Sequence, residues 1–137
     1  MHKEISFSIT LSKDYEQVLN LVTEALKTEG FGVLTEIDVK ATLKKKIDVD
    51  FRKYSILGAC NPPLAYKALS NDPLVGLMLP CNVTVEEIEG GTRINLINPH
   101  AMLLSNPVLA DNESIKAVAD DAYTRLERVA KSLESNH

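Results

Sequence analysis

The chain has 137 residues, 45% of them apolar and 25% charged, which fits one globular domain and argues against a disordered chain, a collagen-like rod or a coiled-coil rod. Fifteen Lys and Arg against nineteen Asp and Glu leave a net charge of −4, which argues against a general nucleic-acid binder. No apolar run approaches the ~20 residues that span a bilayer, and the polar start is unlike a secretory signal, so a cytoplasmic protein without membrane attachment is expected.

Ile5, Phe7, Ile9 and Leu11 alternate with polar residues, the period-2 pattern of a strand with one buried face. Ser12 is the expected N-cap of a helix on which Tyr15, Val18, Leu19, Val22, Ala25 and Leu26 form one stripe, ended by Gly30. Val33, Thr35, Ile37 and Val39 alternate as a second strand, after which Val39, Leu43 and Ile47 change to a spacing of four, predicting a short helix that carries Lys44, Lys45 and Lys46. Tyr54 to Cys60 reads as a strand, and Asn61-Pro62-Pro63 as the capped start of a helix with Leu64, Ala65, Ala68 and Leu69 on one face. Asn71-Asp72-Pro73 breaks that helix, and Leu74 to Leu79 fits either helix or strand.

Gly90-Gly91 is the expected turn of a hairpin between Asn82 to Glu89 and Thr92 to Asn98, which would set Val85 opposite Leu96 and Glu87 opposite Ile94. Pro99 ends the second hairpin strand. From Asp111 or Asn112 onward, Ile115, Val118, Ala119, Ala122, Leu126, Val129, Ala130 and Leu133 mark a long amphipathic helix, with Asp121/Arg125 and Glu127/Lys131 as i,i+4 pairs. A hairpin combined with helix-separated strands, without a regular βαβ repeat, predicts an α+β fold with a mainly antiparallel sheet.

The chemistry-bearing residues are few. In a cytosolic chain Cys60 and Cys81 are expected to stay reduced, and the sequons at Asn82 and Asn112 carry no weight without export. Cys60 precedes the cap Asn61, where helix-start N–H groups would favour a thiolate; the alternative is a small buried residue ending a strand. If the two flanking strands pair, Cys60-Asn61 and Cys81-Asn82 meet at neighbouring strand ends. The 21-residue gap is no zinc-ribbon spacing, but with His100 and Met102 the cysteines make a soft set suited to Cu(I), or with other ligands to Zn. A thiol nucleophile would use His100 as its base, since His2 and His137 are terminal. No nucleophile elbow, Walker loop, GxGxxG turn or HExxH helix is present. Lys44, with Lys40, Lys45, Lys46, Arg52 and Lys53, forms the basic concentration that would receive a small anion, or else a solvated face.

Gly30 to Thr42, Ile56 to Ala65, Leu79-Pro80-Cys81-Asn82-Val83 and Asn98-Pro99-His100-Ala101-Met102-Leu103 together resemble, over nearly the whole chain, the bacterial and archaeal family catalogued as domain of unknown function 302. The resemblance implies a single compact α+β domain, residues 1–137, and a homodimer. It implies no particular reaction. Family members share the Asn61-Pro62 pair and Pro80, while many have other residues in place of Cys60 and Cys81, so a thiol reaction would belong to a subgroup. The reading that follows is a small ligand-binding or accessory protein without a complete catalytic set, its pocket near Cys60, Asn61, Pro62, Pro80, Cys81 and His100. The alternatives are a thiol- or metal-dependent redox protein using Cys60 and Cys81, and a structural interaction module that associates through a sheet edge or its last helix.

Overall fold

A computed structural model describes residues 4–136. Among them five strands form one antiparallel sheet: β1 (Ser6–Leu11), β2 (Gly32–Asp38), β3 (Tyr54–Cys60), β4 (Cys81–Ile88) and β5 (Gly91–Ile97), in the order β1-β5-β4-β3-β2. Six helices accompany them: α1 (Tyr15–Thr28), α2 (Val39–Ile47), α3 (Pro62–Asn71), α4 (Pro99–Leu103), α5 (Pro107–Ala110) and α6 (Glu113–Glu134). The fold is α+β, a single compact domain in which α1 and α6 cover one face of the sheet. None of these helices is long and apolar enough to cross a membrane.

The eight apolar residues that mark α6 in the sequence are its buried residues, and they serve two clusters. Ala122, Leu126, Val129, Ala130 and Leu133 pack with α1 onto the inward residues of the sheet, among them Leu57, Val83, Val85, Ile94 and Leu96. Ile115, Val118 and Ala119 join Ala68, Val75, Leu103 and Leu109 in a second cluster beneath α3, α4 and α5. Each buried Leu, Ile or Val contributes roughly 1.5–3 kcal/mol of transfer free energy, so both halves of α6 are fastened by burial rather than by helix propensity.

The Asx-Pro pairs punctuate the chain. Asn61, Asp72, Asn98 and Asn106 each precede a proline in the first turn of a helix, and each side-chain oxygen accepts a backbone N–H, from Leu64, Leu74, His100 and Val108 respectively. Asp72 caps a 3-10 helix over Pro73–Met78, the segment whose state the periodicity leaves open. Asn112 likewise caps α6 through the Ile115 N–H. At the end of α1, Gly30 takes φ +83°, and the N–H groups of Gly30 and Phe31 donate to the carbonyls of Lys27 and Leu26, a Schellman closure.

Two local expectations are corrected. The N-cap position of α1 is Asp14, not Ser12, because the backbone at Leu11 and Ser12 still lies against Gly91 of β5. A Cβ on Gly91 would meet the Leu11 carbonyl oxygen at 2.2 Å, so Gly91 belongs to the strand, and the hairpin turn is Glu89-Gly90 with Gly90 at φ +84°. Val85 therefore pairs with Ile94, Val83 with Leu96 and Glu87 with Thr92. The pairing is displaced by two residues, an even number, so Val85, Ile94 and Leu96 keep the inward face on which the sequence places them.

Candidate functional site

β3 and β4 pair with Ala59 opposite Cys81 and Gly58 opposite Asn82, which makes Cys60 and Cys81 diagonal neighbours at one end of the sheet. Both line a small pocket at the seam between the two apolar clusters, together with Phe31, Asn61, Leu64, Pro80, Met102 and Val118. Its volume of about 30 Å³ admits about two water-sized groups, and its walls are almost wholly apolar. Cys60 is half-buried and Cys81 is 6% exposed; both are free thiols. Burial, with a smaller contribution from the Cys60 thiolate, pushes the Cys81 thiol up to about 12.

Asn61 is committed to the frame of this pocket. Its Oδ1 accepts the Leu64 N–H at 3.3 Å, and its Nδ2 donates to the Glu29 carbonyl at 3.2 Å, tying the start of α3 to the end of α1. The same carbonyl accepts a bond from Arg125 Nη1 of α6, while the Glu29 carboxylate takes a two-pronged contact from Arg128 at 2.7 and 3.0 Å. Arg128 holds the Glu29 carboxyl below its ordinary range. A Cβ on Gly30 would stand 2.8 Å from Asn61 Nδ2, so the Gly30 turn is what lets the two segments meet.

The start of α3 offers no free donors to an anion or carbonyl. Pro62 and Pro63 have no N–H, the Leu64 N–H is taken by Asn61 Oδ1, and the Ala65 N–H is taken by the Asn61 carbonyl. Pro62 sets the first turn and does not line the pocket, whereas Pro80 does, its ring seated over Gly58, where a Cβ would meet Pro80 Cγ at 2.7 Å. Conformational fit thus accounts for Gly58, Asn61 and Pro80 as a jointed wall.

The remaining site residues lie elsewhere. His100 starts in α4 but turns to α6: its Nε2 pairs with Asp120 Oδ1 at 2.7 Å and its ring stacks on Tyr123 with centroids 4.5 Å apart. It does not line the pocket, so neither the Cys/His pair nor a Cys60, Cys81, His100 metal triad is assembled. Among the described residues no three His, Cys, Asp or Glu side chains gather as a metal-binding group. The terminal His2 and His137 lie outside the described residues. Lys44 sits on α2, bonded to Asp48 at 2.8 Å and near Asp50 at 3.6 Å, while Lys40 Nζ donates to the Phe51 carbonyl. Two carboxylates beside Lys44 cancel the charge that an anion would seek, and α2 lies apart from the thiol pocket. Met102, which enters the sequence reading only as a possible soft ligand, does line it.

Comparison with known proteins agrees with this architecture. The crystal structure of an uncharacterized conserved DUF302 protein from Bacillus stearothermophilus superposes with a TM-score of 0.81 at 29% identity, covering 93% of this chain and 97% of that one. No curated protein matches the chain. The model of the family described as Domain of unknown function DUF302 matches residues 7–133, and the chain belongs to that family.

Proposed function

We propose that the protein is a small homodimeric binding protein that takes a compact apolar or soft group, a few atoms in size, into the pocket between Cys60, Cys81 and Met102. The observation that carries the reading is the lining itself: an apolar cleft closed by a committed Asn61, with thiols as its reactive groups. Apolar walls hold water poorly and favour an occupant that needs no hydrogen bonds. The two cysteines keep a thiol-dependent role open within the same pocket.

The homodimer is supported by the edge of the sheet. A bulge between Val33 and Thr35 leaves Leu34 without a partner, 69% exposed, and Ile37 and Ile47 are 48% and 63% exposed nearby. α2 buries no residue, and a nine-residue helix has little stability of its own in water. Such a surface suits a second copy of the chain.

The pocket is tested by thermal shift with a panel of small apolar molecules, short thioethers and thiophilic cations, against an Ala65→Leu variant that fills the cleft. Stabilisation of the wild type by at least one class, lost in the variant, supports the reading. No stabilisation by any class, with both proteins folded, overturns it. Native mass spectrometry tests the assembly: the wild type is expected as a dimer and Leu34→Lys as a monomer, and a wild-type monomer at micromolar concentration removes the dimer.

A further inference from the structure

We infer that the free edge of β1 is a docking site for an extended, uncharged segment of another polypeptide, which adds to the five-stranded sheet as a further strand. β1 is an end strand, paired on one side by β5 in a register that runs unbroken from Ser6 opposite Ile97 to Leu11 opposite Thr92. The Asn98 N–H donates to the Ile5 carbonyl at 2.8 Å, and an antiparallel pair exchanges its bonds at every second residue. Phe7, Ile9 and Leu11 therefore turn their main-chain groups to β5, and Ser6, Ser8 and Thr10 turn theirs to the open side. Among the described residues no turn or loop bond reaches the N–H or carbonyl of those three.

The two edges of the sheet are built differently. β2 carries devices that deter strand addition, a bulge between Val33 and Thr35 and the exposed carboxylates of Glu36 and Asp38. β1 has neither: its pairing is without a bulge, and no charged residue or proline occurs from Ile5 to Ser12. An added strand meets the hydroxyls of Ser6 and Ser8 on the outer face, bonded to each other at 3.0 Å, and on the inner face the half-buried Phe7, whose ring lies 5.1 Å from that of Tyr123. The edge thus fits a segment that alternates hydroxyl and apolar side chains and carries no charge where it crosses Ser8; main-chain bonds supply the affinity and the alternation sets the register. The choice of a different chain over a second copy rests on the dimer reading above. With copies already joined at the β2 side, pairing β1 with β1 as well would join dimer to dimer without a built-in end.

The experiment titrates the full chain into the fluorescein-labelled peptide Lys-Thr-Val-Thr-Val-Ser-Val-Thr-Glu, which alternates as described and keeps its charges at its ends, and follows fluorescence polarisation. Saturable binding of one peptide per chain is expected. Ser8→Pro removes an N–H that β5 does not use and should weaken binding at least about tenfold with unchanged circular dichroism. Ser8→Lys, which keeps that N–H and sets a charge on the edge, should weaken it as well, and serves where Ser8→Pro fails to fold. No saturable binding by the wild type up to about 1 mM, or equal binding by folded Ser8→Lys, overturns the inference. Sedimentation at rising concentration reads the other occupant: growth of larger species that Ser8→Lys abolishes, without peptide binding, puts a second copy at this edge and overturns it too. A wild-type monomer in native mass spectrometry that still binds the peptide removes the dimer and supports the edge site.

Discussion

The sharpest test of the site is the unequal behaviour of its thiols. In a Cys60→Ser variant, Cys81 is the sole cysteine and keeps the burial that is the main cause of its rise from the ordinary 9.0 to about 12 in the wild type. At pH 8 an ordinary thiol of that kind is about one-tenth thiolate, whereas Cys81 is thiolate in about one molecule in ten thousand, a deficit of about a thousandfold. Alkylation by iodoacetamide, followed by intact-mass spectrometry, should therefore be about a thousandfold slower in the folded variant than in the same variant unfolded in urea. Its 6% exposure slows it further. The linkage has a definite sign: a thiol whose folded value is raised leaves stability untouched below 9 and erodes it between 9 and 12, by about 4 kcal/mol in full. Cys81→Ala should lack that alkaline decline, whatever its stability at neutral pH. Folded-state alkylation of Cys81 at the rate of the unfolded chain would refute the burial argument, and with it the pocket's description as dry.

Other perturbations probe the frame. Asn61→Ala removes the α3 cap and the bond to the Glu29 carbonyl, so a loss of about 1–3 kcal/mol in urea unfolding is expected, against almost none for the exposed Asn71→Ala. Gly91→Ala drives a methyl into the Leu11 carbonyl and should lower stability by about 2–3 kcal/mol, a fall of roughly 7–10 °C in Tm, whereas Gly32→Ala meets nothing within 4 Å and should stay within about 1 kcal/mol of the wild type. Arg128→Ala frees the Glu29 carboxylate. Because Arg128 lowers the Glu29 value, the wild type's advantage over this variant is full above the ordinary carboxylate value of 4.5 and disappears as the pH falls below it; an advantage that grew on acidification would contradict the assignment.

Much of the architecture is readable from the chain because several local signals agree. The Tyr54–Cys60 strand, the Asn61-Pro62 helix start and the α6 stripe each combine period with a boundary residue, and the boundaries observed match them. The errors fall where tertiary contact decides. Nothing local in Gly90-Gly91 distinguishes a turn glycine from one that must yield to the Leu11 backbone, and Ser12 is a good cap residue held in place by the neighbouring strand. At the site, the adjacency of Cys60 and Cys81 follows once β3 and β4 pair, as does the membership of Pro80. The turning of His100 toward Asp120 and Tyr123 does not, since Asp120 is twenty residues away and has no motif linking it to His100. At the start of α3 the two successive prolines remove two donors, as the chain itself states, but that Asn61 takes the Leu64 and Ala65 N–H groups is a matter of the folded cap. The structural role of Asn61 Nδ2 became visible only with the α1 end folded beside it.

The corner where Asn61, Gly30, Glu29 and the two arginines of α6 interlock has a mechanical consequence. A wall built from a glycine turn, a proline ring and doubly anchored polar groups has little compliance, so it holds that side of the cleft to one shape. On the binding reading proposed above, an occupant one methyl group too large would be rejected rather than accommodated, and selection among candidates would follow from fit.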